Sequence, residues 1–344
     1  MSNITIKDIA RICGVSVSTV SRALNGNFDI NKATRERILD VVEEYGYRSN
    51  LSARNLRLTD SHTIALLIKG IANPFFSKMI QVCEKETKKR GYQLIVQHVR
   101  EDKDEAKEAI KLIGERKING LIFLGGYVNH VQSRLEKIDV PFVLSTIAIE
   151  DEKIAKNYNQ VSVDDNKEAC RIVEYLILAG HRRIAILAAD DMDDSVGKLR
   201  LRGYGNALKK HGIIIDAALI TSMENADDVY TYENGYKSTM KLLNETRDFT
   251  AIFAISDTLA IGAVKALSDN GIKVPDDVSV VGFDGLDITR YYNPTITSLK
   301  QPVEDIARAT VDILFENIAN PEMSKKRILF EGSIYEGNSV KKLS

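Results

Sequence analysis

The stretch SVSTVSRALNG, residues 16–26, holds the first side chains in this sequence with chemistry to offer. At helical spacing Val20, Ala23 and Leu24 fall on one face, and Val17, Ser18, Ser21 and Arg22 fall on the opposite one. That outer face carries small residues, hydroxyls and one guanidinium, so it can enter a DNA major groove without obstruction. A guanidinium pairs with guanine edges, an apolar branch touches a thymine methyl, and hydroxyls bond phosphate or base. The same composition equally suits the solvated side of a small helical bundle.

A second group comprises the residues that follow apolar, strand-like runs. Asn73, Phe75 and Phe76 follow TIALLIK, Gly125, Gly126 and Tyr127 follow GLIFL, and Ser145 ends FVLS. Asp190 follows RIAILAA, with Lys198 and Arg200 soon after; Asp257 follows TAIFAIS, Asp284 ends VSVVGFD and Gln301 ends TSLKQ. In doubly wound sheets, ligands bind beyond the carboxyl ends of the strands. Carboxylates and Arg bind vicinal hydroxyls, and aromatic faces pack on sugar C–H groups, so the set suits a polyhydroxylated ligand. Each residue has a plainer alternative: core packing for Phe75 or Phe76, a helix cap for Asp257, a surface ion pair for Arg200.

Catalytic patterns do not emerge. G-x-S-x-G, Walker A, H-E-x-x-H and G-x-G-x-x-G are all missing from the sequence. His181, in AGHRRIA, sits at a helix end, where a structural role is expected. The acidic runs EDE (150–152) and DDMDD (190–194) read as solvated loops rather than metal ligands. No enzyme activity, metal or cofactor is expected.

The elements that must position these residues change character near residue 62. Before it, the pattern is short helices. Thr5 caps the first, with Asp8 as its reciprocal acid; Ile6, Ile9, Ala10 and Cys13 share a face, and Gly14 makes the turn. Ser16 caps the second helix, which Asn25-Gly26 ends. A third follows Asn31, with Ile38, Val41, Val42 and Tyr45 inward and Gly46 closing it. Two helices joined by a tight glycine turn make a helix-turn-helix. From His62, short apolar strands alternate with amphipathic helices in two series, the pattern of parallel sheets covered on both faces. The expected architecture is a small all-α helix-turn-helix domain (1–48) and a linker (49–61). An α/β sensor of two lobes with parallel doubly wound sheets follows (62–344), like a periplasmic binding protein. The lobes are expected at about 62–160 with 292–321, and about 161–291 with 322–344.

Residues 1–60 carry nine basic and seven acidic residues, a net of +2, against −3 for the remainder. The excess alone would not establish nucleic-acid binding. No apolar run is long enough to span a bilayer, the start lacks a signal layout, and the three scattered cysteines suit a reducing compartment, so a cytoplasmic protein is expected. No apolar heptad follows the last strand, which points to a homodimer without a helical tail.

TIKDIARICGVSVSTVSRALNG, TRERILDVVEEYGY and ARNL resemble the DNA-binding domain of the LacI/GalR family of bacterial regulators. The likeness continues through NPFF, GYQLIV, GLIFLG, LILAGHRRIAIL, RLRGY, SDTLAIGAVKAL, GIKVPDDVSVVGFD and TSLKQP. It implies a repressor that binds a pseudo-palindromic operator as a dimer, switched by a small effector, expected to be a sugar. A non-sugar metabolite or a phosphorylated carrier protein as co-repressor is the alternative. The resemblance places Val17, Ser18 and Arg22 at base-reading positions and Ser16, Thr19, Ser21 and Asn25 at phosphate-contacting ones. Leu56 falls at a leucine wedged into the minor groove, and Thr5, Asn50 and Ala53 complete the DNA set. Arg200 and Asp284 fall at characteristic effector positions, and Asn73, Phe75, Asp257 and Gln301 at frequent ones; Tyr127 joins the candidate effector set by its place after GLIFL. Ser145 stands where sugar-responsive members often have Asp. Ser49 precedes Asn50 where the family commonly has Pro. Residues 50–57 are too few to hold a helix alone and are expected to fold when two copies meet on DNA.

Overall fold

In the computed structural model the chain divides into two units, residues 1–61 and 62–344. The structure describes all residues except 1–5, 25–29, 45–61, 101–102, 127–131, 148, 150, 189–195, 224–228 and 344.

In the first unit, α1 (Ile6–Ile12) and α2 (Val17–Leu24) are joined through Gly14, whose φ of +60° suits a residue without Cβ. Asn31 starts α3 (Lys32–Glu44) by accepting a hydrogen bond from the Ala33 amide at 2.9 Å. Ile9, Ala10, Cys13, Val20, Ala23 and Ile38 are buried together, with Val17, Val41 and Val42 packed partly against them. Arg37 ties the third helix to the turn by donating to the Cys13 carbonyl at 3.1 Å. Asp8 pairs with Arg11 at 2.7 Å; Thr5, its expected capping partner, lies outside the described residues.

The second unit contains two sheets. The strands run β1 (Thr63–Ile68), β2 (Gln93–His98), β3 (Gly120–Leu124), β4 (Phe142–Ser145), β5 (Gln160–Val163) and β6 (Ile184–Ala188). They continue as β7 (Ile220–Ser222), β8 (Ala251–Ala254), β9 (Ser279–Asp284), β10 (Thr297–Lys300), β11 (Arg327–Phe330) and β12 (Ser333–Tyr335). Strand order is β11-β5-β4-β3-β1-β2 in the first sheet and β12-β10-β9-β8-β6-β7 in the second. The recorded pairings are parallel except β12 on β10.

The helices that position the site are α4 (Phe75–Lys89), α5 (Glu105–Glu115), α6 (Asp165–Leu178), α7 (Val196–Lys210), α8 (Tyr232–Glu245), α9 (Asp257–Asp269) and α10 (Val303–Ala319). Alternation along β1 shows why both sheet faces are covered. Ile64, Leu66 and Ile68 pack with Met79 of α4 and with Ile306 and Leu314 of α10, whereas Ala65 and Leu67 pack with Ala106 and Ala109 of α5. A strand buried on both sides reads as a continuous apolar run, which is what TIALLI is.

The lobe boundaries expected from sequence need correcting. Strand β5, expected to open the second lobe, pairs with β4 in the first sheet. Strand β10, expected in the first lobe, pairs with β9 in the second, and β11, expected in the second lobe, pairs with β5 in the first. These strands have four residues each, too few to carry a pattern that names their partners. The chain therefore crosses between lobes three times, after β5, after β10 and after β11.

Candidate functional site

In the first unit, Ser16 Oγ accepts from the Thr19 amide at 3.1 Å and lies 2.8 Å from Thr19 Oγ1 and 2.7 Å from Ser18 Oγ. This cap turns a row of hydroxyls outward at the start of α2. Ser16, Ser18 and Arg22 are exposed, Thr19 and Ser21 are half-buried, and Val20 and Ala23 face the core. Val17 departs from the expected outer face: it is half-buried against the core, leaving only part of its side chain for a groove. Thr5, Asn25, Asn50, Ala53 and Leu56, and the hinge over 49–61, lie outside the described residues.

In the second unit a cavity opens between the lobes at the carboxyl ends of the strands. Lys69, Asn73, Phe75, Phe76, Gly125, Gly126 and Thr146 line it from the first lobe, Asp165, Arg200, Tyr230 and Asp284 from the second, and Gln301 from a crossing segment. Arg200 is at its centre. Its Nε donates to Asp165 at 2.9 Å, and its Nη1 donates to the Ile255 carbonyl at 2.6 Å and to Asp284 at 3.3 Å. The guanidinium lies 3.8 Å from the Phe283 ring centroid, a cation–π contact that fixes its plane. Asp284 also accepts from Gln301 at 2.9 Å and, across the lobes, from Asn73 at 3.3 Å. The other end of Asn73 accepts from the Phe75 amide at 3.0 Å, so one residue starts α4 and bridges the cleft.

Two carboxylates thus share one guanidinium in a site shielded from water. Burial pushes Asp165 up to about 6 despite the pull of Arg200. Asp284 is raised for the same reason, with Arg200, Asn73 and Gln301 holding it down in part. Across the cavity, Lys69 and Glu105 form a second buried pair at 3.3 Å. Gly126, at φ +101°, makes room for it, because a Cβ there would stand 2.1 Å from Glu105 Oε1.

Thr146 and Asp284 both have positive φ, +56° and +107°, values costly for residues other than glycine. Thr146 Oγ1 is buried and has no hydrogen-bond partner among the described residues. Thr146 thus combines a costly backbone conformation with a buried, unpartnered hydroxyl beside the cavity.

Of the expected effector residues, Asn73, Phe75, Arg200, Asp284 and Gln301 are brought together, and Tyr127 lies outside the described residues. Ser145 does not line the cavity: its hydroxyl is buried 2.8 Å from that of Thr310, and Thr146, one residue on, takes the wall position. Asp257 does not line it either. It accepts from Ser298 Oγ and from the Leu286 amide, both at 2.6 Å, and so holds the turn after Asp284 from behind. Burial, then the nearby Asp284, raise its carboxyl well above the usual range. Ser256, not Asp257, caps α9. Phe75 and Phe76 both line the cavity and both join the core, with ring centroids 5.4 Å apart.

Sequence reasoning missed Lys69, Thr146, Asp165 and Tyr230. Asp165 follows QVSV with only Asp164 between and would have been found had that strand been assigned to the first sheet. His181 is structural: buried, it bonds Thr250 at 2.9 Å and the Lys341 carbonyl at 3.1 Å, and burial lowers its pKa. Among the described residues no cluster could hold a metal, and no helix is long and apolar enough to cross a membrane.

Residues 5–50 match the model for bacterial regulatory proteins of the lacI family, and residues 173–340 match a periplasmic binding protein-like domain. The HTH-type transcriptional regulator MalR of Clostridium butyricum is 39% identical over 340 residues, covering 97% of this chain and 98% of that protein. Catabolite control protein A of Priestia megaterium is 31% identical over 314 residues, 91% of this chain and 92% of its own. Among solved structures, the transcriptional regulator CelR in complex with cellobiose superposes with a TM-score of 0.73 at 27% identity, over 98% of this chain and 99% of that one. Identity at this level along nearly the whole length, with the head and sensor in the same order, is decisive: the chain belongs to the LacI family of bacterial regulatory proteins, DNA-binding transcription regulators rather than enzymes.

Proposed function

We propose that this regulator is a cytoplasmic repressor that binds a pseudo-palindromic operator as a homodimer and is switched by a sugar held between its lobes. The observation that carries the reading is the Arg200 cluster: one guanidinium, two carboxylates, an Asn and a Gln converge on a cavity that Phe75 also lines. Convergent charged acceptors and donors bind vicinal hydroxyls in pairs, and an aromatic wall packs on the C–H face of a pyranose. A neighbour at 27% identity is described with cellobiose, which supports the same ligand class. The exposed Ser16 at the start of α2, and Ser18 and Arg22 on it, supply phosphate and base contacts.

The Asn73–Asp284 bond crosses the cleft at 3.3 Å, so a sugar entering between the lobes replaces it. Lobe closure then differs between liganded and free protein. The segment 49–61, which joins the units in sequence, passes this difference to the operator-binding head. A coupling of about 1–3 kcal/mol suffices for regulation. The test is selection of an operator from random DNA, followed by operator titration with and without each sugar that raises the melting temperature. A sugar that binds but leaves operator affinity unchanged overturns the switch, and failure to prefer any duplex overturns the regulator.

A further inference from the structure

We infer that the effector is an uncharged sugar and that the site discriminates against its phosphate ester; this rests on the sugar-sensor reading above. The argument is one of charge already committed. Among the described residues, the cationic side chains that line the cavity are Lys69 and Arg200. Lys69 is buried 3.3 Å from Glu105, itself buried at the first turn of α5. Arg200 is buried between Asp165 and Asp284, with the Ile255 carbonyl taking a further N–H. Two cations therefore face three carboxylates, a balance that is neutral or negative according to the protonation of Asp165. A site built for phosphate presents the reverse: guanidinium or ammonium groups free to pair.

A phosphate dianion brought to the cavity would meet the carboxylates of Asp165, Asp284 and Glu105 in a medium of low dielectric. It would also have to displace carboxylates from cations they already satisfy. A neutral polyol meets no such penalty, because its hydroxyls donate to the carboxylates and accept from Arg200, Asn73 and Gln301.

The experiment uses matched pairs on the full-length protein: glucose with glucose 6-phosphate, ribose with ribose 5-phosphate, and maltose and cellobiose with their monophosphates, with inorganic phosphate as a control. Melting temperature and calorimetric Kd are the readouts. For at least one pair the neutral sugar binds and its ester binds at least tenfold more weakly, and phosphate alone gives no shift. An ester that binds as tightly as its parent sugar, or more tightly, overturns the inference and leaves the sugar-sensor reading standing. Silence across every member of the panel overturns that reading and this inference with it. A second variable isolates the cause. Glu105→Gln removes the carboxylate 3.3 Å from Lys69, and the variant's ester-to-sugar Kd ratio shifts at least fivefold towards the ester; an unchanged ratio in a folded variant refutes the charge argument.

Discussion

Replacing Arg200 by methionine tests the centre of the site most directly. Methionine keeps much of the volume and removes the charge, so Asp165 and Asp284 lose the guanidinium that bonds them at 2.9 and 3.3 Å. Removing one partner of a buried ion pair costs about 3–5 kcal/mol, because the remaining charge is left uncompensated. At about 2 °C per kcal/mol for a unit of this size, the melting temperature falls by about 6–10 °C. The loss also has a predictable pH dependence. Asp165 already sits near 6, well above its ordinary 3.8, and loses its main opposing charge in the variant. A carboxyl whose pKa is higher folded than unfolded binds more protons when folded, so its penalty shrinks as pH falls. Thermal melts from pH 8 to pH 5.5 check this: the variant's deficit is largest at pH 8 and narrows towards pH 5.5. A melt within about 1 °C of wild type, or a deficit constant with pH, would refute the view that Arg200 compensates buried carboxylates. The same variant loses sugar-induced stabilisation.

Asp165→Asn separates one carboxylate from the cluster: as pH falls from 7 to 5, wild type gains stability relative to the variant by up to about 1.4 kcal/mol per pH unit, read by urea unfolding at each pH. The opposite slope would mean that Asp165 is not raised in the fold. Gly126→Ala places a methyl 2.1 Å from Glu105 Oε1 at a φ of +101°, and this costs more than about 1 kcal/mol by strain alone; an unaltered thermal melt contradicts it. Ser16→Ala removes the cap on the Thr19 amide, lowers head stability by about 1 kcal/mol and weakens operator binding, measured by fluorescence anisotropy. Thr146→Val fills the same space without the hydroxyl, so the sensor keeps its melting temperature within about 1 °C while sugar affinity falls roughly tenfold, consistent with loss of one ligand hydrogen bond.

Much of this fold was legible because both halves follow strong local rules. The glycine turn and the caps at Ser16 and Asn31 announce the head, and uninterrupted apolar runs such as TIALLI and IAILA announce buried parallel strands. Arg200, Asp284, Asn73 and Gln301 could be placed because they lie in or just beyond elements with clear ends. The errors have a common origin in long-range geometry. Ser145 and Thr146 are adjacent, and only the positive φ at Thr146 decides which side chain reaches the cavity. Asp257 follows its strand as expected, but its carboxylate is captured by Ser298 and the Leu286 amide, from segments distant in sequence. The Lys69–Glu105 pair joins residues whose spacing announces nothing, since the packing of α5 against β1 brings them together.

The three crossings between lobes bear on how the molecule is made. Translation delivers β1 early, but the strand that completes the first sheet beside β5 is Arg327–Phe330, made only after β6 to β10 of the second sheet. Until then the nascent first lobe lacks both its edge strand and α10, and its sheet presents unpaired backbone and bare apolar surface. Neither lobe can be excised as one continuous segment. Proteolytic nicks near residues 164 or 301 would be tolerated only after both sheets are closed.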